Sequence, residues 1–221
     1  MITSETLEKI FPFWKDLLPA EKEIVEEHVR VEKYEKGTVI NRTNEECKGL
    51  MAVRSGQLRT YILSEEGREV TLFRVQEGEI CVLSASCLMD SIVFDVLIEA
   101  MEQTEVMIIP SSVLHRIKEK NPYVELYLYK TATEKFSDVM WTMQQILFLR
   151  IDQRVANFIW DEMQRQKSMT LEITHDEVAR YIGSAREVVT KVLKYLAQEK
   201  IVELRRGKIE ILNKEKLKKL L

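Results

Sequence analysis

From Val31 to about Pro110 apolar and polar residues alternate in short runs, punctuated by glycine at positions 37, 49, 56, 67 and 78. Gly56, Gly67 and Gly78 stand 11 apart, and the runs between them, Leu58–Ser64 and Glu69–Val75, have strand length. A two-residue period bounded by turn residues predicts strands, and many short strands in succession predict an antiparallel barrel or roll. On either side the period becomes helical. Leu7, Ile10, Phe11, Phe13, Leu17 and Leu18 give residues 4–30 apolar helical faces, with Thr3 or Ser4 as the start and Pro12 and Pro19 as breaks. Beyond the strands, Asn121-Pro122 opens a helix over 122–149 in which Tyr129, Ala132, Phe136, Val139, Met143 and Ile146 recur at 3-4-3-4-3. That stripe suits either a partner helix or packing within its own monomer, while Leu126, Met140 and Leu147 give a second face that can pack on the β-domain. Arg150–Asp152 is a candidate hinge before another amphipathic helix, Gln153 to about Gln166, with Val155, Phe158, Ile159 and Met163 inward.

The segment Thr174–Lys194 carries the most specific pattern. Thr174 with Glu177 has the spacing of one capping box and Ser184 with Glu187 that of a second, with Gly183 between them. Two short helices around a glycine turn predict a helix-turn-helix. The second helix buries Val188, Val189, Val192, Leu193 and Leu196, and leaves Arg186, Glu187, Thr190, Lys191 and Lys194 for base edges and phosphates. Glu172–Thr174 reads as a short strand before the hairpin, and 201–212 as two strands around Arg206-Gly207-Lys208. The whole is a winged helix-turn-helix with a basic wing tip.

Composition narrows the class. At 221 residues the chain has room for two modest cores, and 45% hydrophobic with 31% charged residues is ordinary for a globular protein. The sequence has neither a membrane-length apolar run nor the pattern of a signal peptide, and the expected location is the cytoplasm. Cys47, Cys81 and Cys87 are an odd number, too sparse for a disulfide framework and in keeping with a reducing compartment. The net charge of −3 conceals a split: 17 Lys and Arg against 25 Asp and Glu over 1–149, but 16 against 11 over 150–221. The basic part carries the helix-turn-helix, as expected of a nucleic-acid module joined to something else.

The order of these parts, with Glu35-Lys36-Gly37, Arg54-Ser55-Gly56, Glu77-Gly78-Glu79 and the run Ile173–Ser184, resembles the family of the cyclic-AMP receptor protein and the fumarate–nitrate reduction regulator. The resemblance spans nearly the whole chain. It implies an α+β fold: an antiparallel β-roll of the cyclic-nucleotide-binding type over 1–121, a dimerisation helix over 122–149, and a winged helix-turn-helix over 150–221. It implies a homodimeric transcription regulator on a roughly palindromic double-stranded DNA operator, with RNA polymerase as partner and no membrane association. In the family an R-E-x-x-x-R pattern reads a half-site resembling TGTGA, and E-x-x-S-R one resembling TTGAT. Here Arg186, Glu187, Thr190 and Lys191 form a hybrid, with lysine where both patterns carry arginine. Base contacts are expected from Arg186, Glu187, Thr190 and Lys191, and phosphate contacts from Ser184, Lys194, Arg206 and Lys208.

The sensor half departs from the pattern. Cyclic-nucleotide-binding members hold the cyclic phosphate with an Arg-Ser pair a few residues past Gly-Glu. Here Gly78-Glu79 is kept, but no arginine follows before Arg116, so cyclic AMP is disfavoured. An iron–sulfur cluster is disfavoured because residues 1–46 hold no cysteine and three thiols fall short of four ligands. The candidate effector pocket is Glu79, Cys81, Ser84, Ser86 and Cys87, with Ser91 nearby. Cys81 and Cys87 read either as a thiol switch or soft-metal site, or as small buried hydrophobes. No other metal site and no catalytic residue is identified, and the effector is unknown.

Other classes fit less well. A cupin-like metal enzyme needs clustered ligands, whereas His28, His115 and His175 are scattered, each reading as a solvated or capping histidine. A cyclic-nucleotide-type or redox- or metal-sensing binding protein with no direct DNA role is the alternative, and the missing arginine opposes its cyclic-nucleotide form.

Overall fold

A computed structural model describes residues 3–41, 47–88 and 96–221. The chain folds as two compact units, one of residues 1–62 and 72–139, the other of residues 63–71 and 140–221. The described residues include no helix long and apolar enough to cross a membrane.

The first unit opens with α1 (Ser4–Ile10), capped by the Thr3 hydroxyl accepting from the Thr6 N–H, then a 3-10 turn at Pro12–Asp16 and α2 (Pro19–His28). Both prolines stand at first-turn positions, where a missing N–H costs nothing. The roll is built from β1 (Arg30–Tyr34), β2 (Val39–Asn41), β3 (Gly49–Ser55), β4 (Gln57–Leu63), β5 (Glu69–Gln76), β6 (Ile80–Cys81), β7 (Leu97–Ala100) and β8 (Thr104–Pro110). They form two four-stranded sheets, ordered β1-β8-β3-β6 and β2-β7-β4-β5. The β1–β8, β2–β7, β3–β6, β3–β8 and β4–β7 pairs are all antiparallel, as the alternation predicts. Gly56, Gly67 and Gly78 all adopt φ between 80° and 85°, which L side chains rarely tolerate, so the 11-residue glycine period is a turn period. The core runs from Leu7, Phe11 and Trp14 through Leu50, Leu58 and Ile108 to α3 (Ser111–Lys118) and the start of α4 (Pro122–Phe148).

On α4 the two faces are assigned differently from the sequence expectation. Ala132 and Val139 pack on the roll core with Val124 and Leu128, whereas Leu126 (64%), Met140 (38%) and Leu147 (59%) are exposed. The outward stripe is Leu126, Tyr129, Thr133, Phe136, Met140, Met143 and Leu147, still a 3-4 repeat. Tyr129, Phe136 and Met143 belong to either stripe by spacing. The choice falls to the neighbours on the side away from the roll.

The second unit continues with α5 (Ile151–Gln166), β9 (Thr170–Leu171), α6 (His175–Ile182), α7 (Arg186–Gln198), β10 (Val202–Arg205), β11 (Lys208–Ile211) and α8 (Lys214–Lys218). Its core gathers Val155, Ile159, Val178, Val189, Leu193 and Ile209. The small sheet is ordered β10-β11-β9, with Leu171 paired to Ile209. The strand preceding the hairpin is therefore Thr170–Leu171, not Glu172–Thr174, because Thr174 must leave the ladder to cap α6. A short C-terminal helix, unforeseen from the sequence, is capped by Asn213 and anchored by buried Leu217.

Candidate nucleic-acid interface

The first of the two expected capping boxes is formed. Thr174 Oγ1 accepts from the Glu177 N–H at 3.2 Å, and Glu177 Oε2 accepts from the Thr174 N–H at 2.9 Å. The second is not. Gly183 takes the left-handed conformation, φ 63°, and the Ser184 N–H closes back on the Ala179 carbonyl at 2.9 Å. Ser184 is thus spent on ending α6, the N-cap of α7 moves to Ala185, and Glu187 falls one position too early for a box. Two guanidinium groups finish the turn. Arg154 donates to the Ile182 carbonyl, and Arg68 Nη2 to that of Gly183 at 2.5 Å, so cations sit where the α6 dipole ends negative. Neither arginine stood out in the sequence, since both are remote from the motif.

Helix α7 buries Val189, Leu193 and Leu196. Val188, expected inside, is 39% exposed; starting the helix at Arg186 turns it outward. Arg186, Glu187, Lys191 and Lys194 are exposed and Thr190 is half-buried. Among the described residues, none of these four charged side chains is held in an ion pair. The Arg186 fork can address guanine O6 and N7 together, Glu187 can accept from a cytosine amine, and Lys191 offers a point charge without a planar fork.

The wing presents exposed Arg206 beside Gly207, with no ion pair among the described residues, while Lys208 Nζ lies 2.7 Å from Glu172 Oε1. That hydrogen bond and the lysine's charge hold the Glu172 carboxyl below its ordinary value. The pair lies on the surface, where such a bond contributes little to stability.

His175, expected to be solvated or to cap a helix, is half-buried. Its Nδ1 lies 3.1 Å from Thr190 Oγ1. Burial, then the charges of Arg186 and Lys194, hold the imidazole below its ordinary value.

The candidate effector residues do not converge. Glu79 Oε2 accepts from the Gln76 N–H at 2.9 Å, closing a turn beside a cleft of about 480 Å³ that Lys130, Thr131 and Lys135 also line. Ser84 is buried and bonded within the roll, donating to the Cys81 carbonyl at 2.6 Å and accepting from the Met51 N–H at 2.9 Å. Cys81 is fully buried, and burial pushes its thiol up to about 11. Ser86 is half-buried. Cys87, expected to be either Cys81's partner or a buried hydrophobe, is exposed and bonded to Cys47. Sequence spacing favours the nearer thiol, but Cys81 points into the core whereas Cys47, 40 residues away, faces Cys87. Ser91 lies outside the described residues.

A β-roll and a winged helix-turn-helix with free charges on its second helix define a DNA-binding regulator with a sensor-type domain. Residues 31–121 match the cyclic nucleotide-binding domain and residues 153–220 the Crp-like helix-turn-helix domain. A transcriptional regulator of the CRP/FNR family from Eubacterium rectale is 44% identical, with 96% of this chain and 98% of that one covered and a TM-score of 0.91. The transcriptional regulator flp of Lacticaseibacillus casei is 26% identical, with 93% and 94% covered. The transcriptional activator protein anr of Pseudomonas aeruginosa is 26% identical, with 80% and 75% covered. The chain belongs to the CRP/FNR family of DNA-binding transcription regulators.

Proposed function

We propose that the chain acts in the cytoplasm as a homodimer that sets two copies of α7 into successive major grooves of a roughly palindromic operator, where it engages RNA polymerase. The observation that carries the reading is the α7 face, where Arg186, Glu187, Lys191 and Lys194 are exposed and without ion pairs among the described residues. Side chains already committed to protein partners would have to be freed before meeting DNA; these do not. The stripe from Leu126 to Leu147 on α4 supports the dimer, because a 3-4 apolar repeat exposed to water is stabilised by a second helix. Two half-sites about 34 Å apart then follow from the two-fold axis. Arg186, Glu187, Thr190 and Lys191 contact bases; Ser184, Lys194, Arg206 and Lys208 contact the backbone.

The effector acts through the roll and is not cyclic AMP, since the stretch after Glu79 offers no arginine for a cyclic phosphate. Calorimetry is expected to give no binding of cyclic AMP at micromolar concentration. For the DNA reading, selection from random duplexes followed by gel shift is expected to enrich a two-fold-related site. Recovery of no common site would overturn it.

A further inference from the structure

A threonine inside a helix ordinarily turns its hydroxyl back to the carbonyl four residues earlier. In α4, Thr131 donates to the Tyr127 carbonyl at 2.9 Å and Thr133 to that of Tyr129 at 2.8 Å. Thr190 is different. The corresponding acceptor is the Arg186 carbonyl, yet the hydrogen bond described for Thr190 Oγ1 runs to His175 Nδ1, 15 residues away on α6. Both side chains are half-buried, and the ring feels the charges of Arg186 and Lys194.

We infer that His175 is a positioning residue for DNA recognition, fixing the rotamer and proton direction of the Thr190 hydroxyl and so setting the base preference at one position of the half-site. The inference rests on the proposal that α7 reads bases. Threonine has two comparable helical rotamers, and the imidazole selects between them. A hydroxyl offers one donor and two acceptor sites; the ring occupies one of them and leaves the others for a base. The neutral ring can give or take at Nδ1, whereas the imidazolium can only donate. Protonation therefore obliges Thr190 to accept from the ring and turns its own proton away. The charged groups acting on the ring are Arg186 and Lys194, both from α7, and both oppose its protonation. The ring is thus neutral at pH 7 and becomes a pure donor only in acid.

The experiment measures relative affinity for an operator panel, each half-site base pair varied in turn, for the full-length wild type, Thr190→Ala, His175→Ala, His175→Asn and the double alanine variant. A wild type that prefers no sequence would defeat the α7 reading itself; a wild type with a preference leaves the role of His175 to be decided by the variants. His175→Ala is expected to lose roughly 5-fold of discrimination at the same single base pair as Thr190→Ala, the lower end of what one base contact supplies. The double variant is expected to lose no more than either alone, as coupled residues do. His175→Asn, whose amide can both donate and accept, is expected to restore the preference. In the wild type that one preference should shift only as the pH falls below the ring's ordinary value of 6.5, and in His175→Asn it should not. Uniform weakening on every sequence, or additive losses in the double variant, would overturn the inference. So would an unchanged preference in a folded His175→Ala protein.

Discussion

On α7, residues two turns apart on one helix have different expected consequences. Glu187 offers only acceptors, and a single base amine answers it; Glu187→Ala is expected to relax preference at one base pair while leaving other sites nearly as tight. Lys194 offers a charge that any phosphate answers. Lys194→Ala is expected to weaken all sequences alike and to lower the slope of log affinity against log salt by about 1. Binding of both variants to matched and mismatched duplexes at several salt concentrations separates the two, and equal loss on every sequence for both would refute the assignment. The charged members of this face were legible in the sequence because a 3.6-residue period places them opposite Val189, Leu193 and Leu196. Ser184 misled, because the serine that looked like an N-cap was needed to close the preceding helix. His175, Arg154 and Arg68 could not be read, since what joins them to the motif is tertiary.

Strands, helices and their order followed from period and punctuation, but the partner-facing side of α4 did not. An apolar residue on a long helix is compatible with two neighbouring stripes, and only the roll decides which becomes core. The distinction is testable. Phe136, 61% exposed, lies on the outward stripe, and Phe136→Glu is expected to give a folded monomer in sedimentation equilibrium that has lost most operator affinity. Val139 packs on the roll core. Val139→Ala is expected to remain dimeric and to lose about 1–2 kcal/mol of stability in urea, the scale of a partly buried truncation. The reverse pattern would place the dimer seam on the stripe first read from the sequence.

Charge and covalent linkage act on the whole molecule in opposite halves. The basic excess of residues 150–221 belongs to the part that meets phosphate, and the acidic excess of 1–149 keeps the rest of the surface from binding nucleic acid indiscriminately. The acidic half also carries the one covalent cross-link found among the described residues. Cys47 and Cys87 close a loop with a sequence separation of 40, which spans β3 to β6 and so restrains half of the roll's strands in the unfolded chain. A loop of that length removes chain entropy worth about 4 kcal/mol, an upper figure where the unfolded state keeps structure. Cys87 is exposed, so a thiolate reaches the bond without unfolding the roll, whereas Cys81, buried and held protonated, offers no alternative partner. Reduction is therefore expected to lower the melting temperature by on the order of 10 °C, and Cys47→Ser to reproduce the reduced value and to be indifferent to reductant. Peptide mapping of the oxidised protein should recover Cys47 linked to Cys87, with Cys81 alkylated only after denaturation. A Cys81–Cys87 peptide, or a melting temperature unmoved by reductant when the Cys47–Cys87 peptide is present, would refute this account of the roll's stability.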